Sequence, residues 1–483
     1  MVKEKKEVKD EKGITAEKDE FSEWYTQAII KADLADYSAV SGCMILKPYS
    51  YAMWETVVDE CDKRFKKLGI KNAYFPLFIP ESLLKRESAH IAGFNPEVAW
   101  VTEAGNTKLN EKLAVRPTSE TIMYDSYAKW IRSWRDLPLK INQWNNVVRW
   151  EFKHPIPFLR TREFLWNEGH TVYASKGEAL KEEKQILGIY NEILRDYMAI
   201  EGFISRKTES EKFAGAEFTK AIECVLPNGR VVQGPDFHHD GQIFSKSFNI
   251  QFLNKEGKKE HAWQNTWAIT TRMIGVMLAI HGDDKGVVIP PKLAPIQVVI
   301  VPILFDKTKE KVLKEAERLK DPLKEIRVEV DAREEYSPGW KFNDWEMKGV
   351  PLRIEIGPRD IEQGQVILAR RDNGKKETVK IKDIEKKVKE MLDNIQEEML
   401  KKSGKKLKES MVSVKTMTEL EKEIKNKKVA IAEWCDSRDC EDWIKTKTQG
   451  AKIIGINEQQ QAKGNCVHCN KKAKHVIYIG KSY

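Results

Sequence analysis

The spacing of apolar residues predicts helices and strands in mixed order along the first 286 residues. Residues 53–68 repeat apolar positions every three or four residues, which is typical of a helix with one buried face. Residues 139–152 and 230–252 contain stretches in which apolar and polar residues alternate, which predicts strands. Ten of the 14 tryptophans lie between residues 21 and 286, so we expect one large core of mixed α+β type there.

A second pattern follows, in which buried strands alternate with charged helices. Residues 296–305 form a Val/Ile-rich run that is typical of a strand buried on both faces. A Lys/Glu-rich helical stretch runs to residue 319, and further strands are expected at 326–330, 352–356 and 365–370. Apolar residues from 384 to 399 then recur on one helical face. This order predicts a small α/β domain.

Breaks in these patterns divide the chain into units. Ile289-Pro290-Pro291 stops helices and suits a domain boundary, and a lysine run with Ser403-Gly404 suggests a linker. We expect, in order, a flexible charged arm (1–18), a large domain (19–286), a linker (287–294), an α/β domain (295–399), a linker (400–408) and a C-terminal domain (409–483).

Charge and composition narrow the class of protein. The formal charge is 83 − 74 = +9, and 17 lysines against 11 acidic residues give residues 375–428 an excess of +6. Such an excess favours a polyanionic partner, although a charged helix face is usually only solvated. No run approaches the roughly 18 apolar residues of a membrane helix, and residues 3–12 mix five lysines with four acids. We therefore expect a cytoplasmic protein without membrane insertion.

Four of the seven cysteines form the clearest candidate metal site. The pair Cys435 and Cys440 is followed by the pair Cys466 and Cys469, with 25 residues between Cys440 and Cys466. Two close pairs can bring four thiolates to one tetrahedral ion, and a site with four cysteine ligands leaves no open position for catalysis. We expect structural Zn²⁺; the alternative is four free thiols in a reducing compartment.

Three polar segments could bind an anionic substrate. Arg149-Trp150-Glu151 places an arginine and a carboxylate on one strand face, where a surface ion pair is the simpler interpretation. Thr270-Thr271-Arg272 opens an apolar helical stretch, where an arginine suits a bound phosphate or a nearby carboxylate. Residues 116–120, Arg-Pro-Thr-Ser-Glu, add hydroxyls and a carboxylate before another partly apolar segment, where a plain helix N-cap is equally possible.

Together these segments, in this order, resemble the class II aminoacyl-tRNA synthetases. Residues 42–76 resemble the first motif of that class, Arg149-Trp150-Glu151 with Arg160 the second, and Thr270-Thr271-Arg272 the third. Four further segments resemble the prolyl enzymes of archaeal and eukaryotic type: residues 116–120, Trp166-x-Glu168-x-His170, residues 212–215 and His238-His239. The resemblance spans nearly the whole chain.

The resemblance implies a fold, a reaction and a set of site residues. It implies a catalytic domain on an antiparallel sheet, an α/β anticodon-binding domain, a zinc-bearing C-terminal α/β domain, and a homodimer. The implied reaction activates L-proline with ATP and transfers it to tRNA(Pro), with Arg149 and Arg272 as catalytic residues and Mg²⁺ near Gln233. The implied proline site comprises Thr118, Glu120, Arg149, Trp166, His170, Phe213 and His238. The implied ATP site comprises Arg149, Glu151, Arg160, Thr161, Gln233, Thr270 and Arg272.

One segment departs from the family pattern. Where the family commonly has Gly-x-Thr-Ser-His, this chain has Gly234-Pro235-Asp236-Phe237-His238, with Asp240 two residues on. A carboxylate beside a triphosphate is unfavourable unless it binds Mg²⁺ or points away. Two alternatives stay open at this stage: a threonyl-, seryl- or glycyl-type ligase of the same class, and a non-catalytic tRNA-binding paralogue.

Overall fold

The computed structural model describes residues 13–88, 97–151 and 154–483, without the side chains of residues 86–88. Residues 1–12 of the expected charged arm lie outside the described residues. Residues 13–18 pack against the large domain: Ala16 is buried, and the Lys18 ammonium donates to the carbonyls of Ile280 and Gly282. The prediction of a solvated arm is therefore wrong for these six residues, because Lys18 binds the carbonyl end of a helix.

The large domain is of mixed α+β type. Its helices are α1 (Phe21–Lys31), α2 (Pro48–Lys67), α3 (Glu81–Ser88), α4 (Glu120–Trp130), α5 (Lys176–Glu192), α6 (Ile243–Ser247) and α7 (Arg272–His281). Its strands are β1 (Ala35–Tyr37), β2 (Met44–Leu46), β3 (Lys71–Asn72), β4 (Phe78–Pro80), β5 (Trp100–Ala104), β6 (Thr107–Val115), β7 (Leu139–Val148), β8 (Glu163–Tyr173), β9 (Phe203–Arg206), β10 (Phe218–Val225), β11 (Arg230–Gly241), β12 (Gln251–Leu253), β13 (Lys259–His261) and β14 (Trp263–Thr270).

An antiparallel sheet organises this domain. Its central strands lie in the order β9-β10-β11-β14-β8-β7, each pair antiparallel, and β3 adds to β7 in parallel. Helices α2, α5 and α7 pack on one face of the sheet, and their apolar residues join one core that includes Trp24, Phe65 and Trp267. The helix predicted at 53–68 is α2, which begins at Pro48, a residue suited to a first helical turn. The α+β prediction is confirmed.

The second domain has a five-stranded sheet among the described residues. Its elements are β15 (Val298–Pro302), α8 (Lys309–Arg318), β16 (Val328–Val330), α9 (Pro338–Met347), β17 (Leu352–Ile356), α10 (Pro358–Glu362), β18 (Gln365–Arg370), β19 (Lys376–Lys380) and α11 (Ile384–Ser410). The strands lie in the order β16-β15-β17-β18-β19, of which the first three are parallel. The strand β15 is buried at every position, as its Val/Ile run predicts.

The linker predicted at 400–408 does not exist. Helix α11 runs without interruption through these residues to Ser410. Lysine is a good helix former, so the lysine run supports the helix rather than ending it. Ser403 is buried and its hydroxyl accepts a hydrogen bond from the backbone N–H of Glu201, which fixes this turn against the large domain.

Residues 287–294 connect the two domains without helix or strand. They are nevertheless packed, since Val287, Ile289 and Leu293 are buried in the core of the large domain. The backbone N–H groups of Val287 and Ile289 donate to the carbonyls of Met347 and Gly349 at 3.2 Å. The connection therefore holds the two domains in contact.

The C-terminal domain extends the large sheet. Its elements are β20 (Met411–Ser413), α12 (Met417–Lys425), β21 (Val429–Trp434), α13 (Arg438–Lys447), β22 (Lys452–Gln461) and β23 (His475–Ser482). Strand β22 pairs with β9, and β23 pairs with β11 in parallel, so eleven of the described strands form one sheet. The backbone N–H of Tyr483 donates to the carbonyl of Val231, two residues before Gln233. No helix among the described residues is long and apolar enough to cross a membrane.

Candidate active site

Three adjacent strands form the floor of a cavity on the face of the sheet opposite α5. In one row of the sheet, His238 on β11 pairs with Thr266 on β14, which pairs with His170 on β8. In the next row Asp236 pairs with Ala268, which pairs with Glu168. Because side chains two residues apart share a sheet face, all of these side chains point to the same side.

The cavity has a volume of about 470 Å³. All of the residues implied for proline binding line it, together with two further residues that are implied for ATP alone. These are Thr118, Glu120, Arg149, Glu151, Trp166, His170, Phe213, Gln233 and His238. All seven residues of the implied proline site therefore lie around one space.

A smaller cavity of about 120 Å³ adjoins the first one. It shares Arg149, Trp166 and Gln233 with the larger cavity and adds Thr161, Thr270 and Arg272. Arg160 lines neither cavity; it is exposed in the loop before β8, and its positive charge acts on Arg272. The structure thus brings the implied ATP residues to one side of the implied proline site, with Arg160 at its outer edge.

The loop before α4 carries hydroxyl and carboxylate groups into the larger cavity. The Thr118 hydroxyl donates to the Glu120 carboxylate, and both side chains are buried. The loop is fixed from below, since the backbone N–H and the hydroxyl of Ser119 donate to Glu168 at 2.9 and 2.5 Å. Neither Ser119 nor Thr118 makes a side-chain cap of α4, so the N-cap interpretation is wrong.

Glu168 is a buried carboxylate in the cavity floor, to which several neighbouring groups are hydrogen-bonded. Besides Ser119, it accepts hydrogen bonds from Gln143 and from the amide of Asn145, at 3.2 and 2.6 Å, and its Oε2 lies 3.1 Å from His170 Nε2. Burial by itself raises the pKa of this carboxyl, but His170 and the donors outweigh it and lower the pKa to about 2. Glu168 is therefore a permanent anion at neutral pH.

Two histidines form opposite walls. The Tyr124 hydroxyl lies 3.2 Å from His170 Nδ1, so both ring nitrogens of His170 are engaged. On the other side the Thr219 hydroxyl lies 2.8 Å from His238 Nδ1, and Phe213 packs against the His238 ring with centroids 4.8 Å apart. Burial lowers the pKa of His238, which keeps this wall neutral.

Two arginines whose charges act on each other border the smaller cavity, and Arg149 borders the larger cavity as well. Arg149 donates from Nε to the carbonyl of Pro117 at 3.0 Å, and its guanidinium lies over the Trp166 ring, 5.2 Å from the centroid. Arg272 donates to the carbonyls of Leu159 and Gln233. Burial, followed by the charge of Arg149, lowers the pKa of Arg272. Two partly desolvated cations at one point favour a bound anion there. The alternative of a surface ion pair between Arg149 and Glu151 does not occur among the described contacts.

The two aspartates that differ from the family pattern, Asp236 and Asp240, have different surroundings. Asp236 lies in both cavities, accepts a hydrogen bond from Gln233 Nε2 at 2.9 Å, and has its Oδ1 3.5 Å from His238 Nε2. Asp240 is fully buried and lines neither cavity; the Thr266 hydroxyl lies 3.4 Å from its Oδ1. Burial and the charge of Glu120 raise the pKa of Asp240 well above its usual range, which favours the neutral carboxyl group.

The residues implied for substrate binding do not include the groups that position them. These groups are Ser119, Asn145, Thr219 and Glu168, of which Ser119 and Glu168 stand in motifs already noted. Alternation on β8 also places Glu168 between Trp166 and His170 on one face. Asn145 and Thr219 could not be found without the register of the sheet.

The four cysteines meet in the C-terminal domain. Their sulfur atoms all lie within 4.8 Å of one another, and Cys435 Sγ is 3.6 Å from the sulfurs of Cys440 and Cys469. Thiolates on one tetrahedral zinc ion would be about 3.8 Å apart. The backbone N–H of Lys471 lowers the pKa of Cys469 to about 7, which favours the thiolate form. His468, which lies between Cys466 and Cys469 in the sequence, stacks on Trp443. This donor set fits zinc.

Comparison with known proteins agrees with this architecture. Residues 100–281 match the tRNA synthetase class II core domain (G, H, P, S and T), residues 297–391 an anticodon binding domain, and residues 417–483 the C-terminal domain of prolyl-tRNA synthetase. The chain is 48% identical to the proline–tRNA ligase of Alkaliphilus oremlandii over 99% of this chain and 100% of that protein. It belongs to the prolyl-tRNA synthetase family. The resemblance drawn from the motifs is thus confirmed.

Other members of the family come from distant organisms. The cytoplasmic proline–tRNA ligase of Arabidopsis thaliana is 47% identical over 99% of this chain and 93% of that protein. A crystal structure of prolyl-tRNA synthetase from Cryptosporidium parvum, complexed with halofuginone and AMPPNP, superposes with a TM-score of 0.94. It is 45% identical, and the match covers 98% of this chain and all of that one. The prolyl-tRNA synthetase fold therefore extends over nearly the entire chain.

Proposed function

We propose that the chain activates L-proline with ATP and transfers the prolyl group to tRNA(Pro). The observation that carries this proposal is the junction of two cavities at Arg149. One cavity is lined by a carboxylate, a hydroxyl and ring side chains, and the other by Arg272 and two threonines. This arrangement suits a small cyclic amino acid whose carboxylate must reach a nucleotide phosphate.

The larger cavity suits proline in charge and shape. The Thr118 and Glu120 pair offers an acceptor for the charged imino group, and the fixed Thr118–Glu120 hydrogen bond directs the remaining oxygens into the space. Trp166, Phe213 and His238 give apolar walls for the ring. Because such a pocket separates similar small side chains only weakly, alanine and cysteine are the competitors to test.

The adjoining cavity suits the phosphates of ATP. In the first step an oxygen of the proline carboxylate bonds to the α-phosphorus, the bond to the bridging oxygen breaks, and pyrophosphate leaves with that electron pair. Arg149 orients the attacking carboxylate and the α-phosphate, and Arg272 stabilises charge on the phosphates. Glu151, Arg160, Thr161 and Thr270 complete the ATP contacts.

The second step, transfer of the prolyl group to tRNA, needs no charged residue beyond those used in the first step. The terminal ribose hydroxyl of tRNA attacks the carbonyl carbon of the adenylate, and AMP leaves as the carbon–oxygen bond to the phosphate breaks. The hydroxyl proton passes to the phosphate of the leaving AMP. Arg149 remains beside that phosphate and stabilises the departing negative charge.

The same site has oxygen donors that fit Mg²⁺. Gln233 uses its amide nitrogen on Asp236, which directs its side-chain oxygen away from that carboxylate. Amide and carboxylate oxygens are the ligands that Mg²⁺ takes beside substrate phosphates. Gln233 would offer this oxygen to the ion, which would supply charge neutralisation on the phosphates of ATP.

The outer domains suit tRNA binding and structural support. The α/β domain at 295–399 corresponds to the anticodon-binding unit, and the +6 excess at 375–428 suits contacts to the phosphate backbone. Zn²⁺ on Cys435, Cys440, Cys466 and Cys469 would stabilise the C-terminal domain without taking part in the reaction.

The expected homodimer is supported by exposed apolar side chains. Tyr37, Ile45 and Tyr51 lie on β1, β2 and α2, and Tyr74 follows β3 with 72% of its surface exposed. Exposed apolar side chains gathered in one stretch of the chain suit a protein interface. Three of these four residues lie within residues 42–76, which resemble the first class II motif. We place the homodimer in the cytoplasm, as the name of the Arabidopsis relative states for that protein.

Aminoacylation tests the complete reaction. Charging of tRNA(Pro) with labelled proline in the presence of ATP and Mg²⁺ should proceed, while threonine, serine and glycine should give no charged product. Charging with threonine, serine or glycine in place of proline would support a different ligase of the class. Tight tRNA binding with no charging by any amino acid would support a non-catalytic paralogue, a result that Arg149, Glu151 and Arg272 argue against.

A further inference from the structure

A cleft lies where three parts of the chain meet, away from the cavities described above. Its sides are the C-terminal end of α7 at Ile280 and His281, the β18–β19 turn at Asp372 and Asn373, and the α11 turn that includes Lys402 and Lys406. Its volume is about 220 Å³. It shares no lining residue with the proline and ATP cavities.

The two lysines of this cleft have no ion-pair partner among the described residues. Lys402 and Lys406 stand one helical turn apart on α11, so their side chains lie on the same face and repel each other. By contrast, Lys401 and Lys405 on the same helix are paired with Glu397 and Glu409, at 3.4 and 3.8 Å. Partial burial and the charge of Lys402 lower the pKa of Lys406, in accord with this repulsion.

The two acidic residues of the cleft share one arginine. Arg370 donates to both oxygens of Asp372, at 2.9 and 2.8 Å, and to Glu398 at 2.6 Å. Both carboxylates are thus engaged away from the lysines, although one guanidinium offsets only one of their two charges. Together with Lys402 and Lys406, these groups leave the cleft a net charge of 3 − 2 = +1.

The neutral polar groups of the cleft have their acceptors occupied and their donors open. Ser403 Oγ accepts from the backbone N–H of Glu201, and Asn373 Oδ1 accepts from the backbone N–H of Lys375. Each side chain keeps N–H or O–H groups for another partner. His281 lies 2.9 Å from the carbonyl of Met198 through Nε2, and burial lowers its pKa to about 3, so it stays neutral and adds no competing charge.

A second cavity of about 490 Å³ continues the cleft and shares Ile280, Ser403 and Lys406 with it. It brings in Lys18, whose ammonium is buried at the carbonyl end of α7. Burial and the charge of Lys406 lower the pKa of Lys18 to about 7. An anion between Lys18 and Lys406 would relieve the repulsion between them.

We propose that this junction cleft, with Lys402 and Lys406 as its principal ligands and Ser403 and Asn373 as hydrogen-bond donors, binds a phosphate-bearing anion. Two ammonium groups and two neutral donors match the charge and the oxygen count of a phosphate. The anion can come from a free oligophosphate or from the backbone of bound RNA. Either one would join the N-terminal segment, the large domain and α11 at one point.

The test uses tripolyphosphate as the probe and compares its binding to the native chain and to two double variants, since any binding in the reaction site is common to all three proteins. The native chain should bind the probe at one additional site per chain. The double variant Lys402→Gln/Lys406→Gln should lose about tenfold or more in affinity for it. The control Lys401→Gln/Lys405→Gln removes the same charge from the same helix and should change affinity by less than about twofold.

A second experiment distinguishes between the two sources of phosphate, RNA and a free oligophosphate. If the ligand is RNA, the Lys402/Lys406 double variant should also bind tRNA more weakly and with a shallower salt dependence than the control. If it is a free oligophosphate, tRNA affinity should be equal in the two double variants while probe binding still differs. Equal probe affinity in both double variants, or no additional site in the native chain, would overturn the proposal.

Activation and folding serve as independent readouts. Proline-dependent pyrophosphate exchange should persist in both double variants, because neither pair of lysines lines the reaction site. Equal melting temperatures without the probe would show that both variants fold. Probe binding lost with exchange retained supports the cleft, and exchange absent in every variant and in the native chain would count only against the proposed function.

Discussion

The backbone N–H of Ser119 donates to Oε2 of Glu168 at 2.9 Å across 49 residues of sequence. This contact joins the loop that presents Thr118 and Glu120 to the strand that forms the floor. The same Oε2 lies 3.1 Å from His170 Nε2, so one carboxylate positions two walls of the proposed proline pocket. Glu168 is therefore a positioning residue that need not touch the substrate.

Replacing Glu168 by glutamine should weaken proline binding. The amide keeps the size of the side chain but supplies one donor where the network needs an acceptor. Since a hydrogen bond to a charged group contributes about 1.5–3 kcal/mol, the KM for proline should rise about tenfold or more. The KM for ATP should change little. Glu103→Gln, at an exposed carboxylate of β5, is the control. Equal KM values for proline in the two variants would remove Glu168 from this role.

The low pKa of Glu168 predicts a stability change in acid. The folded-state pKa is about 2, below its usual value of 4.5, so the unfolded chain binds the proton first as the pH falls. The contribution of Glu168 to stability is complete above about pH 4.5 and is lost as the pH falls through about 2. Urea unfolding between pH 2 and 6 should show a smaller loss in Glu168→Gln than in the native chain. The same pH dependence of the free energy of unfolding in both proteins would contradict the low pKa of Glu168.

Asp240 should tolerate replacement by asparagine. Its pKa is raised by burial, so the folded chain keeps a proton that the unfolded chain has lost above about pH 4. The stability that the folded chain loses in this way grows as the pH rises, and Asp240→Asn removes this loss. We expect a melting temperature a few degrees higher at pH 7.5 and a proline-activation rate within about twofold of the native one. A several-fold higher Mg²⁺ requirement in this variant would instead show that Asp240 is ionised and serves the metal.

Zinc should be present at about one ion per chain in protein purified without chelator. Cys466→Ser should reduce that stoichiometry and lower the unfolding temperature of the C-terminal domain, since metal binding stabilises the folded form. Cys43→Ser, outside the cluster, should leave the zinc content unchanged. Full zinc content in Cys466→Ser would exclude the four-cysteine site.

Removing the Arg149 guanidinium should stop adenylate formation. Loss of a group that stabilises charge in the transition state costs about 100-fold or more. Arg149→Lys should recover only part of the rate, because an ammonium cannot make two parallel hydrogen bonds. Binding of tRNA should remain close to native, as should both activities in the exposed control Arg135→Ala. Near-native exchange in Arg149→Ala would exclude its catalytic role.

The elements with strong local patterns could be predicted from the sequence. The strands at 352–356 and 365–370 have the predicted bounds, and the helix at 53–68 differs mainly at its start. Helix α11 was missed between 400 and 408 because a lysine run with Ser403-Gly404 resembles a linker. Only a contact with Glu201, some 200 residues away, shows that this turn is packed.

The site was predictable as a list of residues but not as a network. Motifs indicated Thr118, Arg149 and Arg272, whereas the roles of Asn145 and Thr219 depend on which strands lie side by side. The sequence also did not reveal that Asp240 is buried outside the cavities and that Asp236 lines both. Strand register decides these positions, and it is set by contacts between distant segments.

Amino-acid-dependent exchange between ATP and pyrophosphate tests the central claim most directly. The native chain, assayed with Mg²⁺ and each of proline, alanine, cysteine and threonine, should give its fastest exchange with proline, slower exchange with alanine or cysteine, and none with threonine. Exchange that is absent with proline, or that is faster with threonine, would contradict the account.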